Sequence, residues 1–252
     1  MTDEVHADDQ FGGAQYTDGR YDDTQYGDRG QRPSTDVGVG PWAGDWPTGD
    51  SYDADLLASG DTRNVADRYR YWRHDAIVTD LDSRRHSFHV AIENWQHDLN
   101  IGSVVRTANA FLAAEVHVVG RRRWNRRGAM VTDRYQHLRH HESVEAFREW
   151  AVGAELQLLG VDNLPGAVPL ETARLPLACV LVFGQEGPGL SDAMRTACQV
   201  TLSIAQFGST RSINAGAAAA IAMHAWVRQH AVLDLTTHKA DRPRQGAPPA
   251  SV

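Results

Sequence analysis

From residue 86 to residue 232 the chain alternates short apolar runs with helically spaced ones, and this alternation restricts the fold more than any other feature. SFHVAIENW (87–95), EVHVVG (115–120), LQLLGVD (156–162), ACVLVFG (178–184) and VTLSIA (200–205) read as five strands. Between and after them, NIGSVVRTANAFLA (100–113), SVEAFREWAVGA (143–154), SDAMRTA (191–197) and the small-residue run SINAGAAAAIAMHAWVRQHAVL (212–233) read as helices. Strands that alternate with helices call for a parallel α/β sheet in one domain. In such sheets ligands sit beyond the carboxyl ends of the strands. The loops after the first, fourth and fifth expected strands are therefore the places to look for chemistry.

The residues before this region have another character. Residues 1–62 are rich in Asp, Gly, Tyr, Gln and Thr and lack sustained apolar periodicity. Such a segment does not bury enough apolar surface to offset its ordering entropy, so a disordered acidic arm is expected there. Residues 63–85, polar and Arg-rich with helical spacing among Val65, Tyr69 and Trp72, are expected to form an N-terminal helical extension. The main domain then spans 86–232, and 233–252 reads as a flexible Pro-rich tail.

Charge is divided in the same way. Residues 1–60 hold 13 Asp and Glu against 3 Arg, while the rest of the chain holds 22 Arg and Lys against 19 Asp and Glu, so the net charge of −7 misdescribes the part expected to fold. Positive charge concentrates in RRRWNRRGAMVTDRYQHLRHH (121–141), with seven Arg and three His against one Asp. That density is the electrostatic footprint of a nucleic-acid binder and equally of a solvated basic loop. Arg121, Arg122, Arg123, Arg126 and Arg127 are the candidate nucleic-acid contacts. His140 and His141 read as surface or RNA-contacting residues; no metal is expected, because no cysteine or carboxylate cluster accompanies them. Two cysteines, Cys179 and Cys198, are too few for a disulfide framework. No apolar run reaches the roughly 18 residues of a membrane span and no leader pattern opens the chain, so a cytoplasmic protein is expected.

Three loops carry candidate chemistry. In the first, Asn100 suits a helix N-cap, Gly102 allows close backbone approach, and Arg106 follows about 9 Å along the helix. The second, FGQEGPGLS (183–191), sets Glu186 among glycines that can supply positive φ and unobstructed backbone N–H groups. It is not a P-loop, since no G-K-[ST] follows, just as the first loop is not a dinucleotide fingerprint, since it lacks the three glycines of G-x-G-x-x-G. In the third, Gly208 turns the chain, and Ser212 or Asn214 caps the last helix.

In their order, N-x-G-x-x-x-R-T-A, F-G-x-E-G-x-G-L and I-x-x-x-G-x-x-x-S-I-N, these loops resemble the three-motif signature of the SpoU (TrmH-like) RNA ribose 2′-O-methyltransferases of the SPOUT superfamily. The resemblance covers about residues 86–230 and implies an α/β fold with a trefoil knot, a homodimer, and S-adenosylmethionine as cofactor. It implies cofactor contacts at Phe183, Gly184, Gly189, Ile204 and Ile213, and functional positions at Asn100, Arg106, Glu186, Ser212 and Asn214. The implied substrate is a ribose 2′-hydroxyl of tRNA or rRNA, with a non-catalytic RNA-binding or ribosome-assembly factor as the alternative. Deprotonating a guanidinium near neutral pH costs about 7 kcal/mol, which favours Arg106 as a charged clamp on phosphate over a literal general base. One departure stands out: the family's third motif usually opens I-P-M, and this chain has Ile204, Ala205 and Gln206.

Overall fold

The structure, a computed structural model, describes residues 38–95, 100–185 and 187–232. Seven parallel strands form one sheet: β1 (Phe88–Asn94), β2 (Val116–Gly120), β3 (Leu138–His141), β4 (Gln157–Val161), β5 (Val168–Pro169), β6 (Cys179–Phe183) and β7 (Val200–Ser203). Their spatial order is β3-β2-β1-β6-β4-β7-β5. The expected parallel α/β sheet is therefore present, with two strands more than the apolar runs announced. Both additions lie at sheet edges. Edge strands are paired on one side only, and neither the polar LRHH of β3 nor the two-residue β5 carries the continuous apolar signal of a central strand.

Helices α1 (Ala54–Ser59), α2 (His74–Asp82), α3 (Ile101–Ala110), α4 (Val144–Gly153), α5 (Asp192–Ala197) and α6 (Ala215–His230), with three short 3-10 turns, complete the described elements. Because strand side chains alternate, β1 directs Phe88, Val90 and Ile92 to one face and Ala91 to the other. The first face packs on α3 and α6 through Val104, Val105, Met223 and Trp226, and the Trp226 ring lies 4.5 Å from Phe88. The second packs on α4 and α5 through Phe147, Ala151 and Met194. Central β6 is buried at all five positions, as a strand covered on both faces must be.

The expected boundary at residue 62 is corrected. Residues 38–62 include helix α1, N-capped by Asp53, whose side chain accepts from the Asp55 and Leu56 amides, and an antiparallel bridge from Val39 to Asp61. Trp42 stands edge-on to Tyr71 at 5.2 Å, and Tyr52 edge-on to Trp72 at 6.4 Å. A few aromatic anchors do here what periodicity does elsewhere, since each buries a large area without neighbours of its own kind in sequence. Buried Asp61 accepts from Arg63 Nε at 2.9 Å and Nη2 at 2.7 Å and from the Tyr71 amide at 2.9 Å, so a boundary after residue 62 cuts an ion pair. In the 63–85 segment, His74–Asp82 form α2, whereas Tyr69 ends a single 3-10 turn at Asp67–Tyr69 that Val65 and Trp72 flank. Residues 1–37 and the tail expected at 233–252 lie outside the described residues.

Candidate active site

The cleft beyond the carboxyl ends of β4, β6 and β7 is built mainly from main chain. After Phe183 the chain turns back on itself: the Gln185 amide donates to the Gly189 carbonyl at 3.0 Å, and the Gly189 amide to the Gln185 carbonyl at 3.1 Å. Only glycine suits the two ends of this turn. A Cβ on Gly184 would lie 2.0 Å from the Gly189 carbonyl carbon and 2.2 Å from the Leu190 nitrogen. Gly189 has φ +72°, and a Cβ there would meet Asp162 Oδ2 at 2.4 Å. That same Oδ2 accepts the Leu190 amide at 2.9 Å, which ties the turn to the end of β4.

The turn is tied to β1 as well. Glu93, fully buried, accepts from the Ser191 amide at 2.8 Å, the Ser191 hydroxyl at 2.7 Å and Trp95 Nε1 at 2.8 Å. Three donors satisfy a carboxylate that would otherwise be costly to bury. Ser191 then caps α5, its hydroxyl oxygen accepting the Met194 amide at 3.2 Å.

The resulting cleft, about 400 Å³, is lined among others by Phe183, Gly184, Gly189, Ile204, Ser212, Ile213 and Asn214. All five residues expected at a cofactor thus share one wall system. Gln185 and Gln206 line it too, and the side-chain oxygen of each is buried with no hydrogen-bond partner among the described residues. Buried amide oxygens are nearly always paired, so two of them in one cleft mark it as built for a ligand carrying donors. The departure in the third motif has a local compensation. Ala205 keeps an N–H that proline would lack, and it donates to Glu171 Oε1 at 2.9 Å.

Asn214 caps α6, its Oδ1 accepting the Gly216 and Ala217 amides at 2.9 and 3.2 Å. Its Nδ2 donates to Asn100 Oδ1 at 2.9 Å, which joins the start of α3 to the start of α6. Asn100 occupies the N-cap position of α3 but makes no side-chain cap bond there. Its carbonyl is instead committed to Asn214, a pairing that local sequence rules could not show. Arg106 lies on the exposed side of α3 and forms no ion pair among the described residues. Glu186 lies outside the described residues.

Gly102 has a partner that sequence alone did not name. A Cβ at this position would come within 2.6 to 2.7 Å of the Gly128 and Ala129 backbone, so glycine lets the basic segment lie directly on α3. The segment's other root is Asn94, buried at the end of β1, whose Nδ2 donates to the Arg121 and Arg123 carbonyls at 2.7 and 2.9 Å. Arg121, Arg122, Arg123, Arg126 and Arg127 are all exposed. Arg126 pairs with Asp133 at 3.2 Å and stands 5.6 Å from the Trp124 ring. His141, expected at the surface, is buried against Phe147 and Trp150, because it ends β3 on the side covered by α4.

Against known proteins, residues 87–224, more than half of the chain, match the model of the SpoU rRNA methylase family. The chain belongs to that family. A Mycolicibacterium vanbaalenii protein described as an uncharacterized tRNA/rRNA methyltransferase is 30% identical over 177 residues, 64% of this chain and 53% of that one. The chain thus spans about half the length of the curated relatives it matches. Among solved structures, the SpoU methyltransferase AviRb from Streptomyces viridochromogenes, in complex with the cofactor AdoMet, superposes with a TM-score of 0.53 at 27% identity, covering 60% of each chain. A structure described as giving insight into 2-OH methylation of C/U34 on tRNA has a TM-score of 0.50 at 27% identity, over 57% of this chain and 96% of that one. The SpoU assignment agrees with the order of the three loop motifs along the chain. No described helix is long and apolar enough to cross a membrane.

Proposed function

We propose that this SpoU-family chain transfers a methyl group from S-adenosylmethionine to a ribose 2′-hydroxyl of tRNA or rRNA. The observation that carries the reading is the Asn214–Asn100 hydrogen bond at 2.9 Å, because it brings the Arg106 helix to the mouth of the cleft that the other two motifs line. The AdoMet complex of the AviRb neighbour and the tRNA 2-OH methylation of the second neighbour support the same assignment.

The cofactor's sulfonium supplies the methyl group. Phe183, Gly184, Gly189, Ile204 and Ile213, which line the cleft, would hold the cofactor largely through main-chain groups, and the Gln185 and Gln206 oxygens would accept from its donors. Arg106 clamps an RNA phosphate and stabilises charge developing on the ribose oxygen. Asn100 and Asn214 fix the helix that bears Arg106, Ser212 completes the wall, and Glu186 is assigned the role of positioning Arg106 or the last helix. The exposed arginines at 121–123, 126 and 127 bind the backbone of the RNA, and α3 beneath them sets their position relative to Arg106. A homodimer working in the cytoplasm completes the proposal.

The test is transfer of labelled methyl into unmodified tRNA and rRNA, followed by nucleoside analysis. The reading expects label in 2′-O-methylnucleosides, and for Arg106→Ala a loss of transfer of at least a hundredfold with cofactor affinity retained. Label in a base would overturn the ribose assignment. Failure to bind the cofactor, with RNA binding intact, would favour the non-catalytic RNA-binding factor.

A further inference from the structure

The second face of the sheet contains a polar cluster that the proposed methyl transfer does not use. His89 and His117 are the second residues of β1 and β2, and Glu115 directly precedes β2. They therefore lie toward the amino ends of these strands, whereas the cleft lies beyond the carboxyl ends of β4, β6 and β7. His89 Nδ1 is 3.1 Å from His117 Nε2, and His117 Nε2 is 3.7 Å from Glu115 Oε2. The ligand atoms of all three residues fall within 4.8 Å of one another.

We propose that His89, Glu115 and His117 form a binding site for a divalent metal ion of the zinc type, apart from the methyl-transfer cleft. Zinc bonds of about 2.0 to 2.1 Å in a tetrahedral arrangement place neighbouring ligand atoms roughly 3.3 to 3.4 Å apart. The 3.1 and 3.7 Å separations bracket that spacing, and the third pair lies within 4.8 Å, so side-chain adjustment closes the three ligands on the ion. Two imidazoles and one carboxylate make a ligand set suited to zinc, with the fourth position left to water.

The surroundings are those of a supported site. His117 Nδ1 lies 3.0 Å from His141 Nε2, so the ring can donate outward to His141 while Nε2 faces the ion. Arg139 Nε donates to both Glu115 oxygens, at 3.0 and 3.1 Å, and each oxygen keeps a further lone pair. Trp150 covers the cluster, its ring centroid 4.0 Å from His117 and 5.4 Å from His89. Ligation requires both rings in the neutral form, which releases a proton wherever an imidazole is charged. Without metal the same contacts make a row of hydrogen-bonded neutral imidazoles. The two forms differ in one proton: His89 must carry its hydrogen on Nε2 to present Nδ1 to the ion.

The experiment is titration of Zn²⁺, and of Co²⁺ as a spectroscopic probe, into the full chain after chelator treatment, with metal content measured after gel filtration. One equivalent retained per chain, a tetrahedral Co²⁺ spectrum displaced by Zn²⁺, and at least tenfold weaker binding in Glu115→Gln and His89→Gln are expected. Neither variant removes a fully buried side chain, so both keep the decision independent of folding; circular dichroism verifies this. No retained metal, or wild-type affinity in both variants, would overturn the proposal.

Discussion

The glycine turn at 184–190 and the basic segment at 121–131 follow strands of the same sheet and are rooted on consecutive residues of β1. Glu93 binds Ser191 behind the turn, and Asn94 binds the carbonyls of Arg121 and Arg123. Each root is a buried polar group whose partners are far away in sequence. The loops differ in what they present. The turn offers backbone shaped by glycines that tolerate no Cβ, whereas the basic segment offers exposed guanidinium groups on a backbone held from behind. A small ligand wrapped by main chain needs the first arrangement, and a long polyanion read through its phosphates needs the second.

Breaking the turn should have the largest effect. Gly184→Ala forces a Cβ into the Gly189–Leu190 backbone, and the expected cost is about 3 kcal/mol of stability together with loss of cofactor binding, measured by denaturant unfolding and calorimetry. The roots come next. Glu93→Ala strands three donors and should cost roughly 1–3 kcal/mol and weaken cofactor binding, with RNA affinity per mole of folded protein preserved. Asn94→Ala should cost about 1 kcal/mol and do the reverse, lowering RNA affinity while the cofactor titrates as in wild type. If both variants impaired both activities equally, the division of labour between the loops would be wrong.

Surface arginines should act more gently. Replacing Arg122 and Arg123 by Ala should leave stability unchanged and reduce the slope of log affinity against log salt by about one for each phosphate that is no longer neutralised. The smallest effect concerns the N-terminal segment, which is anchored by a titrating carboxylate where the basic segment is anchored by an amide. Burial raises the Asp61 pKa, but hydrogen bonds from Arg63 and from the Tyr71 and Arg63 amides outweigh it and hold the group below its ordinary value. Its stabilisation is therefore fully present above the ordinary carboxylate pKa of about 4 and is lost as pH falls through the lowered folded value. Tryptophan fluorescence should report release of residues 38–62 in acid, and Asp61→Asn should remove that pH dependence.

Much of this architecture was legible in sequence because the central strands are apolar at almost every position and the helices between them have clear spacing. Phe183, Gly184, Gly189, Ile204, Ser212, Ile213 and Asn214 were also legible as members of one site, and the structure brings them together. What escaped was set by long-range pairing. Edge strand β3 is mostly polar, residues 38–62 are held by isolated aromatics, and Gly102 serves an approach by residues 128–129 that has no local signature. Glu93, Asn94, His89 and His117 sit inside strands that read as core, and only the assembled sheet shows what each polar group faces. Gln206, seen in sequence as a departure from a motif, turns out to line the cleft with an unpaired oxygen.

The central claim is that the cleft is the cofactor site, and the most direct measurement is calorimetric titration of S-adenosylmethionine into the wild type and into Ala218→Phe. Ala218 lines the cleft from α6, so a phenyl ring there fills the space while the glycine turn stays intact. Binding in the micromolar range that is lost in the variant is the predicted result. Absence of binding in the wild type, or equal binding in both proteins, would contradict the account.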